Sequence, residues 1–201
     1  MDILVSIILL TTHAHIILFC LIIAIFKATF ISLTIYKEQL TASSIKQGNE
    51  ERYGPQYAND GLLSRYSSGV YMSSTEDYPW IQWQLPGRIR ITGVSIATRR
   101  DCCGYYFQNV EVRAGLDGIN STLQGLPITA NEVCGKFEGP GNIYKEYKVN
   151  CNSTLLASFI TVQIMNLSAQ LQVNELKYTT EPHALIGNNI LYWHTQIRYK
   201  I

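Results

Sequence analysis

Beyond residue 37 the apolar positions alternate with polar ones instead of recurring at helical spacing. Six runs carry the pattern: Trp80–Leu85, Ile89–Ile96, Val110–Arg113, Tyr144–Val149, Phe159–Ile164 and Leu171–Tyr178. A period of two sends successive side chains to opposite faces of an extended chain, so each run predicts a β-strand with one buried face. Pro86-Gly87, the stretch Gly115 to Gly118 and Gly139-Pro140-Gly141 separate the runs and supply turns. No apolar stripe of helical period and comparable length follows residue 37, and the expected architecture is an all-β antiparallel sandwich. Lys37 to Gly61 is polar and turn-rich and reads as loops leading into the sheet, while the segment after Thr180 reads as a tail.

The first residues break this pattern. Met1 to Phe26 carries a single charged side chain, Asp2, and is long enough to cross a bilayer as a helix. It lacks the basic start and the small-x-small cut site of a cleavable signal, which favours a membrane anchor over a signal peptide. The chain thus divides into a hydrophobic helix at 1–36, a β-domain at 37–180 and a tail at 181–201.

Charge changes the picture little. With 16 basic and 15 acidic side chains there is no electrostatic footprint for nucleic acid. Lys27, Lys37 and Lys46 follow the apolar run and would hold the domain in the cytosol. Two other features point outward: every cysteine but Cys20 lies beyond the lead, as suits bridges in an oxidising compartment, and Asn120, Asn152 and Asn166 begin glycosylation triplets. The cysteines outweigh the lysines, and the expected location is secreted or membrane-anchored with the domain extracellular.

Catalytic chemistry is missing from the β-domain. His13, His15, His183 and His194 fall in the lead or the tail, so no metal-ligand spacing and no Ser-His-Asp order is visible. Glu76-Asp77 reads as solvated loop chemistry, and no phosphate loop or dinucleotide fingerprint is present. A binding protein is expected, not an enzyme. The unusual chemistry sits in Arg99-Arg100-Asp101-Cys102-Cys103-Gly104. A bond between adjacent cysteines closes a ring whose Cα separation of about 3.8 Å lies below the ordinary disulfide range. The pair is therefore either such a ring, two free thiols or two halves of distant bridges.

Together with Leu40-Thr41-Ala42-Ser43-Ser44, Ala58-Asn59-Asp60-Gly61, Pro79-Trp80, Gln82-Trp83-Gln84-Leu85 and Ile91-Thr92-Gly93-Val94, this stretch resembles the fucolectin, tachylectin and pentraxin-associated domains of the F5/8 type C, discoidin-like superfamily. The likeness covers roughly Lys37 to Tyr178. It implies a galactose-binding-like jelly roll and a calcium-assisted carbohydrate-binding, lectin-like module for cell-surface or microbial glycans, with a homo-oligomer as a further expectation. In such a site a histidine, an arginine opening Arg-x-Asp and a second basic residue contact fucose, and the two cysteines join as an apolar platform. Here the implied ligand set is Arg99, Asp101, Cys102 and Cys103, with Met72 at the histidine position and Tyr106 at the second basic one. Loss of those donors implies altered or lost fucose specificity, with Tyr71, Tyr105 and Tyr106 as aromatic replacements.

The resemblance further implies a Cys134–Cys151 bridge, a third bridge replaced by Val70 and Asn174, and a calcium ion held by Asn59, Asp60 and Glu175. Leu62 falls at a position where the family offers another oxygen ligand. The competing expectation is an adhesion or protein-interaction domain without sugar binding, touching its partner through Tyr78, Tyr105, Tyr106 and Phe107. A degenerate copy that folds and binds little is the third.

Overall fold

The computed structural model describes residues 38–63, 68–119 and 125–181. The apolar lead, the Asn120 triplet and the tail after Glu181 lie outside these, and so do the expectations attached to them. Among the described residues no helix is long and apolar enough to cross a membrane.

Among the described residues eight strands form: β1 (Gln39–Ala42), β2 (Tyr71–Met72), β3 (Trp80–Ala97), β4 (Val110–Gly115), β5 (Glu132–Phe137), β6 (Glu146–Ile164), β7 (Gln172–Val173) and β8 (Glu175–Thr180). The main sheet runs β1-β3-β6-β4-β5 with β8 also on β3, and β2 pairs separately with β7. Every pairing is antiparallel. The all-β sandwich expected from the alternation is present, with differences of detail: β1 lies within the stretch read as loops, β2 and β5 were not foreseen, and the run Leu171–Tyr178 is split into β7 and β8.

β3 and β6 each join two of the predicted runs. Their shared ladder is broken twice, between Gln84 and Ile89 and between Ile91 and Gly93. In the first break Pro86 has no N–H to donate and Gly87 no side chain to pack. In the second, the four residues 151–154 of β6 stand opposite Thr92 alone. Extra residues in one strand bend the ladder, and here they fold both strands over at one corner. Ile81, Trp83 and Leu85 before the corner and Ile91, Val94 and Ile96 after it consequently share one core, completed by Val110, Val112, Val149, Ile160, Val162 and Leu176. Cys134 of β5 is bonded to Cys151 of β6, which fastens the β5 edge to the corner, and the rings of Phe107, Phe137 and Tyr147 pack together across the same seam.

The outer face of β3, β4 and β6 should be solvated by its polar alternation, yet Gln82, Glu111, Thr161 and Gln163 are buried. The chain on either side of residues 120–124 covers them. Ile119 N–H donates to Gln82 Oε1 and Ile128 N–H to Gln163 Oε1, both at 2.9 Å, while Arg113 donates to the carbonyls of Thr129 and Asn131.

Glu111, 3% exposed, accepts from Arg113 Nε at 2.6 Å and Lys136 Nζ at 3.0 Å. Burial alone would push its carboxyl up, but the two cations outweigh that and hold it below its ordinary value of 4.5. A depressed folded pKa stabilises above the unfolded value and is lost as pH falls through the folded one. Glu111→Gln is expected to cost about 1–2 kcal/mol at neutral pH and to flatten the loss of stability below about pH 4.5. Denaturant titrations across a pH series check both effects.

Candidate functional site

Both ends of β6 and the C-terminal end of β3 reach the side of the sandwich opposite the corner. Tyr144, just before β6, donates its N–H to Arg99 O at 2.7 Å, and Met165, just after it, donates to Asn109 O at 2.8 Å. The segment 98–109 therefore crosses the mouth of the sandwich from β3 to β4. Thr98 Oγ1 donates to Asn142 O at 2.7 Å and Gly141 N–H to Phe107 O at 2.8 Å, so segment 139–145 lies against it. Gly104 makes this approach possible: a Cβ there would sit 2.2 Å from Asn142 C and 2.4 Å from Ile143 N.

Arg99 is 6% exposed, and its guanidinium is held from two sides. Nε and Nη2 reach the Asp101 carboxylate at 3.0 and 2.6 Å. Nη1 donates to Gln172 Oε1 at 3.1 Å and lies 3.7 Å from Met72 Sδ. Burial of the Asp101 carboxyl opposes its ionisation, but hydrogen bonding and charge from Arg99, with its own and Cys102's backbone N–H, hold it below the usual carboxylate range. The arginine is thus presented at the mouth in one orientation, its charge balanced by a partly exposed acid.

Cys102 and Cys103 are joined to each other, with Cα atoms 3.7 Å apart, and both are half-buried. Cys103 takes left-handed backbone angles, φ 66°, and its carbonyl accepts from Tyr106 N–H at 3.1 Å. The one-turn 3-10 helix Gly104–Tyr106 that follows lifts Tyr105 and Tyr106 to the surface, 57% and 37% exposed, with ring centroids 4.6 Å apart. Hydrogen bonding with Tyr106 raises the Tyr105 phenol. Beside them Arg100 lies over the Tyr144 ring at 3.8 Å and donates to Leu63 O at 3.3 Å. Leu62, Leu63, Ile143 and Tyr144 are exposed around this contact.

Of the expected ligand set, Arg99, Asp101, Cys102, Cys103 and Tyr106 come together here. Met72 is wholly buried and backs Arg99 instead of facing solvent. Tyr71 is also wholly buried, its hydroxyl donating to the carbonyls of Ser44 and Trp80; burial and then Glu76 raise its phenol. Phe107 belongs to the core, not to a contact surface. Tyr78 lies at a tight turn, φ 50°. Gln172, which sequence reasoning missed, enters because Met72 and Gln172 are register partners in the β2–β7 pair. Gln172 Nε2 in turn donates to Gln170 Oε1.

The residues expected to hold calcium are also neighbours. Gly61 N–H donates to Glu175 Oε2 at 3.2 Å, Leu62 N–H to Asp60 Oδ1 at 2.8 Å, and Asn59 Nδ2 to Glu38 Oε2 at 2.7 Å. Among the described residues no three His, Cys, Asp or Glu side chains converge as a metal cluster. Val70 and Asn174, at the positions of the replaced bridge, are both buried. Of the glycosylation triplets, Asn152 is exposed and Asn166 half-buried, while Asn120 lies outside the described residues.

Comparison with known proteins agrees with this architecture. A pentraxin fusion protein of Xenopus laevis is 26% identical over 132 residues, covering 63% of this chain and 29% of that protein. The f-lectin (fucolectin) from striped bass, Morone saxatilis, superposes with a TM-score of 0.61 at 17% identity, covering 72% of this chain and 47% of that one. A Streptococcus pneumoniae fucose binding module superposes with a TM-score of 0.55 at 16% identity, covering 73% and 93%. The chain thus spans under a third of the pentraxin fusion protein and about half of the bass lectin. The profile of the F5/8 type C domain matches residues 39–176. The chain belongs to the F5/8 type C domain family.

Proposed function

We propose that the domain is a calcium-assisted glycan-binding module whose specificity departs from fucose, acting on the extracellular side of a membrane or as a secreted protein. The observation that carries this reading is the juxtaposition at one mouth of the buried, clamped Arg99, the Cys102–Cys103 ring and the exposed Tyr105–Tyr106 pair. A sugar offers an apolar ring face and a fringe of hydroxyls. The sulfur ring and the tyrosine faces suit the first, and the Asp101 carboxylate and Tyr106 hydroxyl suit the second. Arg99 has little left to donate, because Asp101, Gln172 and Met72 occupy its Nε, Nη2 and Nη1. Hydroxyl recognition therefore shifts from the guanidinium towards acceptors, which is the physical basis for altered specificity.

Asp60, Glu175 and the carbonyls around Asn59 are the hard oxygen donors that a calcium ion takes. A bound ion would hold the 59–63 segment against β8. Two disulfides in so small a domain support an oxidising location.

Glycan-array binding with and without a chelator tests the reading. Chelation is expected to weaken binding. Tyr106→Ala, at a position exposed enough to leave the fold intact, is expected to weaken it about 5-fold, the worth of one aromatic contact of about 1 kcal/mol. Arg99→Ala, which removes the partner that holds the Asp101 carboxylate in place, is expected to cost roughly 10- to 100-fold. Absence of binding to any glycan with calcium present overturns the proposal. The exposed apolar rim of Leu62, Leu63, Ile143 and Tyr144 favours one second reading, a protein-adhesion surface. Capture of a protein partner that survives Arg99→Ala and fails on combined Tyr105→Ala and Tyr106→Ala would select it.

A further inference from the structure

We infer that Asn152 carries an N-linked glycan and that Asn166, at the ligand-binding end, does not. Both Asn152-Ser153-Thr154 and Asn166-Leu167-Ser168 fit the acceptor pattern, and the fold separates them. Asn152 belongs to the surplus of β6 at the corner, where four residues face Thr92 alone between the pairs Asn150↔Gly93 and Leu155↔Ile91. Residues in surplus leave the ladder and turn outward, and Asn152 and Ser153 are both exposed. Their flanks are fixed: Cys151 is bonded to Cys134 and Thr154 Oγ1 donates to Glu181 Oε1 at 2.6 Å. The acceptor amide is thus presented on a short projecting staple, and a bulky polar group there displaces no packed side chain.

Asn166 is built into its surroundings. Its Oδ1 accepts from Asn109 Nδ2 at 3.1 Å and its carbonyl from Tyr78 N–H at 3.0 Å. Ser168, the third residue of its triplet, takes φ 52° and donates its N–H to Asp77 Oδ1 at 2.8 Å. A sugar on that amide would have to enter a bonded, half-buried turn beside the mouth.

In the modification, Asn152 Nδ2 forms a bond to the anomeric carbon of an oligosaccharide carried on a polyprenyl diphosphate. The anomeric carbon's bond to the diphosphate oxygen breaks, Nδ2 gives up one proton, and the polyprenyl diphosphate leaves with the electron pair. No oxidation or reduction takes place. The glycan then stands at the corner, where Gln39 and Thr180 also lie, opposite Gln84 and Ile91 of β3. The end with Arg99 and the tyrosines stays clear.

The test is expression of the full chain through the secretory route of cultured eukaryotic cells. Asn120→Gln is introduced first, so that the remaining triplets are read alone. The Asn120→Gln chain is expected to lose mobility-retarding mass on treatment with a glycan amidase. Adding Asn152→Gln should abolish that shift, and adding Asn166→Gln should preserve it. Amidase digestion of the unsubstituted chain in heavy-oxygen water, followed by peptide mass analysis, should place the label at residue 152 without relying on any variant. A label at residue 166, the lack of one at residue 152, or an Asn120→Gln chain with no shift overturns the inference. Glycan-array binding by the Asn152→Gln chain is expected to match that of the unsubstituted chain, so failure here and failure of the ligand-binding proposal read out separately.

Discussion

Gly104→Ala is expected to destabilise the domain by about 3 kcal/mol and to abolish ligand binding, while Gly87→Ala leaves both unchanged. The added methyl group would meet backbone, at 2.2 Å from Asn142 C, 2.4 Å from Ile143 N and 2.5 Å from Asn142 O. No rotamer change relieves contacts of that kind, so segments 98–109 and 139–145 must part. Parting them strains the bonds Tyr144 N–Arg99 O, Gly141 N–Phe107 O and Thr98 Oγ1–Asn142 O. Arg99 and the tyrosine pair are set by the same segment and would move with it. Gly87 has open space around its missing Cβ and an ordinary φ, which makes it a matched control. Urea denaturation of the two variants, with the glycan assay alongside, decides the matter; a Gly104→Ala protein of native stability would mean the segments are not tightly apposed.

The two disulfides are expected to behave oppositely. Combined Cys134→Ser and Cys151→Ser should cost about 3 kcal/mol in the loop-entropy account, because the bond spans a sequence separation of 17 and its loss frees that loop in the unfolded chain. Cys134 is fully buried, so the hydroxyl that replaces its sulfur adds a desolvation cost in the same direction. Combined Cys102→Ser and Cys103→Ser should change global stability far less, since a link between neighbours with a separation of 1 closes almost no loop. Its effect should fall on the ligand, through the lost sulfur platform and the freed turn under Tyr105 and Tyr106. Thermal melts compared with ligand affinity for the two double variants separate the roles, and equal melting losses would contradict the assignment.

How much of this was legible in the chain follows from the range of each interaction. Arg99, Asp101, Cys102, Cys103 and Gly104 lie within six residues of chain, and their mutual geometry is nearly local, so their grouping was legible. The alternation in Trp80–Leu85 and Ile89–Ile96 likewise marked the core face correctly, since Ile81, Trp83, Ile91, Val94 and Ile96 all point inward. Gln172 was not legible, because it touches Arg99 only through the pairing of two strands of two residues each. It falls on the polar phase of the run Leu171–Tyr178, which reads as the solvated face, while Tyr71 and Met72 form a strand of two residues, too short to show a period. The buried polar stripe of Gln82, Glu111 and Gln163 was missed for a different reason. Its cover is irregular chain held by side-chain acceptors, and irregular chain leaves no periodic trace.

The corner made by the doubled-over β3 and β6 brings the first and last strands out at the same place: Gln39 stands opposite Gln84, and Thr180 opposite Ile91. A unit wired in this way can be spliced into a longer polypeptide as a pendant, without adding its own length to the parent's spine. The end that carries Arg99 and the tyrosine pair then forms the free tip of the pendant, where neighbouring units in series do not screen it.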